Sequence, residues 1–114
     1  MRIEIKGRNT AVSDELRERI LKRSEKVARQ VSPLAVMDVE LSEERNPSIK
    51  DDQIAEITLR LKGVTLRACG RAPSMAHALN ETMDDLGRQV KRHRDKRRAR
   101  RATREVEPRA AASP

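Results

Sequence analysis

Aromatic side chains are missing altogether: 114 residues contain no Phe, Tyr or Trp. All apolar burial must come from Leu, Ile, Val, Met and Ala, and a large aliphatic side chain stabilises by about 1.5–3 kcal/mol when fully buried. The absence also excludes the aromatic platforms on which single-stranded bases usually stack, leaving only arginine planes for that role. Cys69 is the one cysteine. It excludes an internal disulfide and a thiolate metal cluster, and a reducing cytoplasm is the expected compartment. No apolar run approaches the roughly 18 residues of a membrane span, and MRIEIKGRNT has no signal-peptide core. The four glycines stand apart, which excludes a glycine-rich phosphate loop.

What the chain has instead is positive charge. Lys and Arg number 26 against 18 Asp and Glu, a net charge of +8 and a pI near 10.5. The stretch GRQVKRHRDKRRARRATR concentrates it: from Arg88 to Arg104, ten residues are Lys or Arg and only Asp95 is acidic. That local charge of +9 exceeds the total, so the remainder is close to neutral. An anionic partner is expected, and nucleic acid is the default.

The hydrophobic period changes along the chain. MRIEIKGRN alternates, with Ile3 and Ile5 on one face, and predicts a half-buried strand whose alternation Gly7 ends at a bulge or bend. Leu16, Ile20, Ser24, Val27 and Val31 recur at steps of three and four, predicting a helix over 14–31 with Ser13 as cap and Pro33 beyond its end. Met37, Val39 and Leu41 restore period two. EERNPSIKDD is a polar loop with a turn signal at Asn46–Pro47. Ala55, Ile57, Leu59 and Leu61, then Val64, Leu66 and Ala68 across Lys62–Gly63, predict a β-hairpin. Ser74 caps a second helix whose stripe is Met75, Leu79, Thr82, Met83, Leu86 and Val90. Past Arg98 no stripe continues, so residues 1–98 are expected as one α+β domain and 99–114 as a basic, disordered tail or a cut linker.

The order β-α-β-β-β-α, with one apolar face per strand and one stripe per helix, packs most economically as a two-layer sandwich. Both helices then cover one face of a four-stranded sheet. Strands one and two are expected to be parallel through a right-handed crossover, and the rest an antiparallel meander.

Catalysis finds little support. Ser74 and His77 share a helix without an orienting carboxylate or oxyanion site, so Ser74 reads as a cap and His77 as a surface residue. Asp84 and Asp85 diverge by about 100° around a helix and do not share a metal easily. Nothing in the sequence supplies Cys69 with a base. No enzyme, cofactor or metal is expected. The chemistry left is electrostatic: Arg88, Lys91, Arg92, Arg94, Lys96, Arg97 and Arg98 surround a helix with groups that grip phosphate and position a protein without reading sequence. Without aromatics, binding should follow the shape and backbone of a folded RNA. The charged face of the first helix fits either solvation or nucleic-acid contact.

The segments IEIKGRN, SDELRERILKRSEKV, AEITLRLKGVTLRA and SMAHALNETMDDLGRQVKRHRDK together resemble the ribosome hibernation promoting factor family, which includes the ribosome-associated translation inhibitors. The resemblance covers about residues 2–98. It implies a fold like that of a double-stranded-RNA-binding domain with an added first strand. It also implies binding in the channel between head and body of the small ribosomal subunit, against its 16S-type rRNA and nearby proteins. There the protein would exclude mRNA and A- and P-site tRNA and silence the ribosome under stress. By resemblance the binding residues are Arg8, Lys22, Arg23 and Lys26, with Arg88, Lys91, Arg92, Arg94 and Lys96 in the second helix. The chain departs from the family pattern at Ser74, where an acidic cap is usual, and at Ala76, where a tyrosine is usual. It ends at EPRAAASP without the dimerising domain of long members, so a short member or a trimmed linker, and a monomer, are expected. The competing reading is a general RNA- or DNA-binding protein acting through its basic helix and tail.

Overall fold

The structure is a computed structural model and describes residues 1–46 and 48–112, with side chains through Ala102. Pro47 of the expected Asn46–Pro47 turn, and Ser113 and Pro114 of the expected tail, lie outside the described residues. The elements are β1 (Arg2–Arg8), α1 (Asp14–Ala28), β2 (Val36–Glu43), β3 (Gln53–Leu61), β4 (Val64–Ala72) and α2 (Met75–Ala112). The sheet order is β1-β2-β3-β4. β1 lies parallel to β2, with Ile5 beside Val39. β2, β3 and β4 form the antiparallel meander, with Met37 opposite Leu59 and Leu59 opposite Leu66.

Alternation sends one face of each strand inward. Met37, Val39, Leu41, Ala55, Ile57, Leu59, Ala68 and Ala72 are buried with Ile20 and Val27 of α1 and with Ala78, Leu79, Met83, Leu86 and Val90 of α2. These residues form one aliphatic cluster, so both helices cover the same sheet face. Two buried hydroxyls lie in it, each satisfied by its own helix. Ser24 donates to the Ile20 carbonyl at 2.6 Å and Thr82 to the Ala78 carbonyl at 2.7 Å. That back-bonding removes most of the cost of an unpaired buried polar group.

The serine caps form as the sequence implies. Ser13 Oγ accepts from the Leu16 amide and Ser74 Oγ from the His77 amide, each at 3.2 Å. Gly63 turns the hairpin at φ +78°, a region closed to most other residues. Gly70 is needed for a different reason. A Cβ there would collide with Thr82 Oγ1 and lie 2.9 Å from the Ala78 carbonyl oxygen. The bare backbone of β4 lets α2 approach at that point.

The alternation of β1 ends at Gly7, while its pairing continues to Arg8 beside Ser42. Two boundaries differ from expectation. α1 ends at Ala28 and not Val31. Its last turn tightens, with the Gln30 amide bonded to the Val27 carbonyl at 3.0 Å, two residues before Ser32–Pro33 turns the chain towards β2. α2 does not fray at Arg98: its backbone stays helical to Ala112. Arg and Ala are among the strongest helix formers, so the helix outlasts the apolar stripe that ends at Val90.

Gly70→Ala should lower stability by about 1–3 kcal/mol, because the new methyl meets backbone as well as a side chain. Chemical denaturation checks this, and a midpoint equal to wild type would show that α2 can move off β4 freely.

Candidate nucleic-acid interface

The sheet's outer face pairs part of its charge. Arg2 pairs with Glu4 at 2.9 Å, Arg60 with Asp38 at 3.1 Å, and Arg8 approaches Glu40 at 3.9 Å. Arg8 therefore stands on the face opposite the helices, apart from the other predicted contacts. Exposed pairs of this kind add little stability, but they leave a face of mixed sign.

The helix layer is different. Lys22 and Lys26 are exposed on α1, and neither forms an ion pair among the described residues. Arg23, between them, is half-buried and committed to α2. Its guanidinium donates to Asn80 Oδ1 at 3.1 Å and to Asp84 Oδ1 at 2.5 Å. Arg94 makes the corresponding link from α2, donating to Gln30 Oε1 at 3.0 Å. These two predicted contact residues hold the helices together and present only part of their charge outward.

On α2, successive residues turn by about 100°. Leu86 and Val90 face the sheet, so Arg88, Lys91, Arg92 and Arg98 point to the sides and away from it. Arg88 sits 3.8 Å from Asp85, whereas Lys91, Arg92 and Arg98 are exposed with no ion pair among the described residues. Lys96, Arg97 and Arg100 instead continue the sheet-facing side beyond the end of the core. They overhang a cleft that also takes in Arg60 and Lys62 at the β3–β4 hairpin. Lys62 and Arg100 were not singled out from the sequence, because their proximity arises only when the hairpin end meets the distal helix.

Elsewhere the surface offers little chemistry. His77 pairs with Glu81 at 3.1 Å, and Ser74 is occupied as the cap. No group of three or more His, Cys, Asp or Glu suitable for a metal occurs among the described residues. No described helix is long and apolar enough to cross a membrane. Cys69 lies on the outer face opposite Glu56, its Sγ 3.9 Å from Glu56 Oε1. Partial burial of the thiol, then the Glu56 carboxylate, push its pKa above the ordinary value, with Arg71 opposing. The thiolate is the reactive form, so this position is slow to react. Glu56→Gln should lower the thiol pKa and speed alkylation by iodoacetamide near neutral pH. Equal rates in the two proteins would remove Glu56 as a cause.

Comparison with known proteins places this geometry. Residues 3–98 match the model of the sigma 54 modulation protein / S30EA ribosomal protein family. A ribosome hibernation promotion factor of Picosynechococcus is 27% identical over 97 residues, which are 84% of this chain and 50% of that protein. The chain thus spans about half the length of that relative. A ribosome hibernation promoting factor of Acinetobacter guillouiae is 29% identical over 99 residues, 82% of this chain and 88% of that protein. The N-terminal domain of Thermus thermophilus Protein Y superposes with a TM-score of 0.69 at 26% identity, covering 82% of this chain and 99% of that one. A ribosomal subunit interface protein from Coxiella burnetii shares the fold, with a TM-score of 0.63 at 20% identity over 83% of this chain and 99% of its own. With the family model matched across all four strands, α1 and α2 as far as Arg98, the chain belongs to the sigma 54 modulation protein / S30EA ribosomal protein family.

Proposed function

We propose that this protein binds the small ribosomal subunit in the channel of mRNA and of A- and P-site tRNA, and so promotes hibernation of the ribosome. The observation that carries the reading is the set of unpaired cations on the two helices. Lys22, Lys26, Lys91, Arg92 and Arg98 have no ion pair among the described residues, whereas Arg2, Arg8 and Arg60 of the sheet's outer face each lie beside a carboxylate. Membership of the family and relatives named as hibernation factors support the ribosome as the source of phosphate. The mechanism is exclusion. No bond is made or broken; the protein occupies volume that the competing RNAs need. Its site of action is then the cytoplasm, and its working form one copy per small subunit.

Within this proposal Lys22, Lys26, Lys91, Arg92 and Arg98 contact rRNA phosphates directly. Arg23 and Arg94 act chiefly by holding α1 and α2 at a fixed separation. Arg8, on the far face, is not part of the interface. A second reading has one observation in its favour: every described side chain from Asp95 to Ala102 is exposed. A helix charged around its circumference could coat any polyanion.

Co-sedimentation with purified small subunits, in excess unstructured RNA, separates the two. Stoichiometric pelleting displaced by mRNA and initiator tRNA is expected, and pelleting erased by the competitor RNA would leave only the polyanion coat. With about 6–8 phosphate contacts, log K should fall with log salt at a slope of about −4 to −7. The triple reversal Lys22→Glu, Lys91→Glu, Arg92→Glu should make that slope shallower by about 3. An unchanged slope would mean that these three residues do not touch phosphate.

A further inference from the structure

The cleft under the distal part of α2 is separate from the outward-facing cations. Its volume is about 610 Å³, within the roughly 300–1,000 Å³ range of sites that hold one small organic group. The floor is aliphatic, formed by Val31, Leu61 and Val90. Leu34 stands at its edge, 89% exposed and by far the most exposed large apolar side chain of the described residues. The rim is basic, formed by Lys62 at the hairpin and by Lys96, Arg97 and Arg100 of α2, with His93 between floor and rim. Among the described residues no Asp or Glu lines the cleft. The arrangement follows from the helix. The side of α2 that packs Leu86 and Val90 into the sheet runs past the sheet's end, and there it changes from apolar to cationic.

We propose that this cleft takes one unstacked nucleotide of single-stranded RNA, with the base on the aliphatic floor and the flanking phosphates on the rim. The ribosomal reading above supplies the source of that RNA, and the inference rests on it in that respect. An apolar floor beside several cations and no acid matches a group that is flat and weakly polar in its middle and anionic on both sides. Lys96, Arg97 and Arg100 fall within about one helical turn, so they can meet phosphates either side of a single base. In a chain without aromatics, arginine guanidinium planes are the remaining surface on which an unstacked base can lie. An acidic peptide would share the charge complementarity. It has no flat face to lay on the aliphatic floor, as a base does.

The test is a titration of the whole chain with an adenylate RNA trinucleotide, the same trinucleotide with an abasic centre, and an RNA duplex of equal phosphate count. The methyl resonances of Val31, Leu34 and Leu61 report on the cleft. The trinucleotide should move all three, and removing the central base should weaken binding about tenfold, the order of one stacked base. Leu34→Glu alters an exposed side chain and keeps the fold; it should lower trinucleotide affinity to the abasic level, and Lys96→Glu should lower it as well. The proposal is overturned if the abasic RNA binds as well as the intact one, or if the duplex moves the same methyls. It is equally overturned if a glutamate-rich peptide moves them where the trinucleotide does not. Pelleting with small subunits decides the ribosomal reading and this titration decides the cleft, so either can fail alone.

Discussion

The close approach of α2 to β4 at Gly70 is the contact on which the rest of the structure depends. With no aromatic ring to fill space, two layers must come near each other for short aliphatic side chains to touch. Gly70 leaves β4 without a side chain where one would push Thr82 and Ala78 of α2 away. Thr82 turns its hydroxyl onto its own helix at the Ala78 carbonyl, 2.7 Å away, and stands 3.3 Å from the Ala55 carbonyl of β3. The helix is thereby set against two strands at once. Leu79, Met83, Leu86 and Val90 follow into the core, and their positions determine which way every cation beyond Val90 points.

Charge is paired in part on each layer. On the sheet's outer face Arg60 meets Asp38 and Arg8 approaches Glu40 on the neighbouring strand. On the helices, acidic residues run along α1, and α2 carries Glu81, Asp84 and Asp85 before its cations crowd between Arg88 and Arg104. That placement suits the helix dipole. It leaves Asp95 as the one carboxylate at helical spacing from Lys91, Arg92 and Arg98, and Asp95 lies by Arg94 instead. Asp84 orders the layer, since it is used up by Arg23.

Much of this was legible in the residues. Alternation in Ala55–Leu61 and Val64–Ala68, the glycine between them, and serines before both apolar stripes led to the observed order of elements, the parallel first pair and both helices on one face. The helix ends were less legible, for two different reasons. Val31 keeps the period of α1, yet the chain must turn before Pro33 to reach β2. The stripe of α2 stops at Val90, yet Arg and Ala extend the helix without any packing. At the candidate interface, the count of cations was visible but their commitments were not. Arg23 finds Asp84 and Arg94 finds Gln30 across more than sixty residues of sequence, and Lys62 nears Arg100 only because the hairpin end and the distal helix meet. Local pattern records which face a residue takes. It carries no record of which distant partner will neutralise it.

The same accounting explains why the distal helix is built from cations although it gains no burial there. Like charges three and four residues apart cost a helix about 0.2–0.5 kcal/mol per pair, and the run from Arg88 to Arg101 contains several such pairs with only Asp95 opposing them. Without a partner this repulsion works against the intrinsic helix propensity of Arg and Ala. A polyanion reverses its sign, since each phosphate contact both removes repulsion and releases counterions from the RNA. Anything that binds the folded helix more tightly than the unfolded chain also stabilises it by mass action. Helix order beyond the core and affinity for phosphate are then linked quantities. The segment that contributes least to folding the body gains most from the ligand, and this is a physical reason for joining a charge-neutral α+β body to a helix that outruns it.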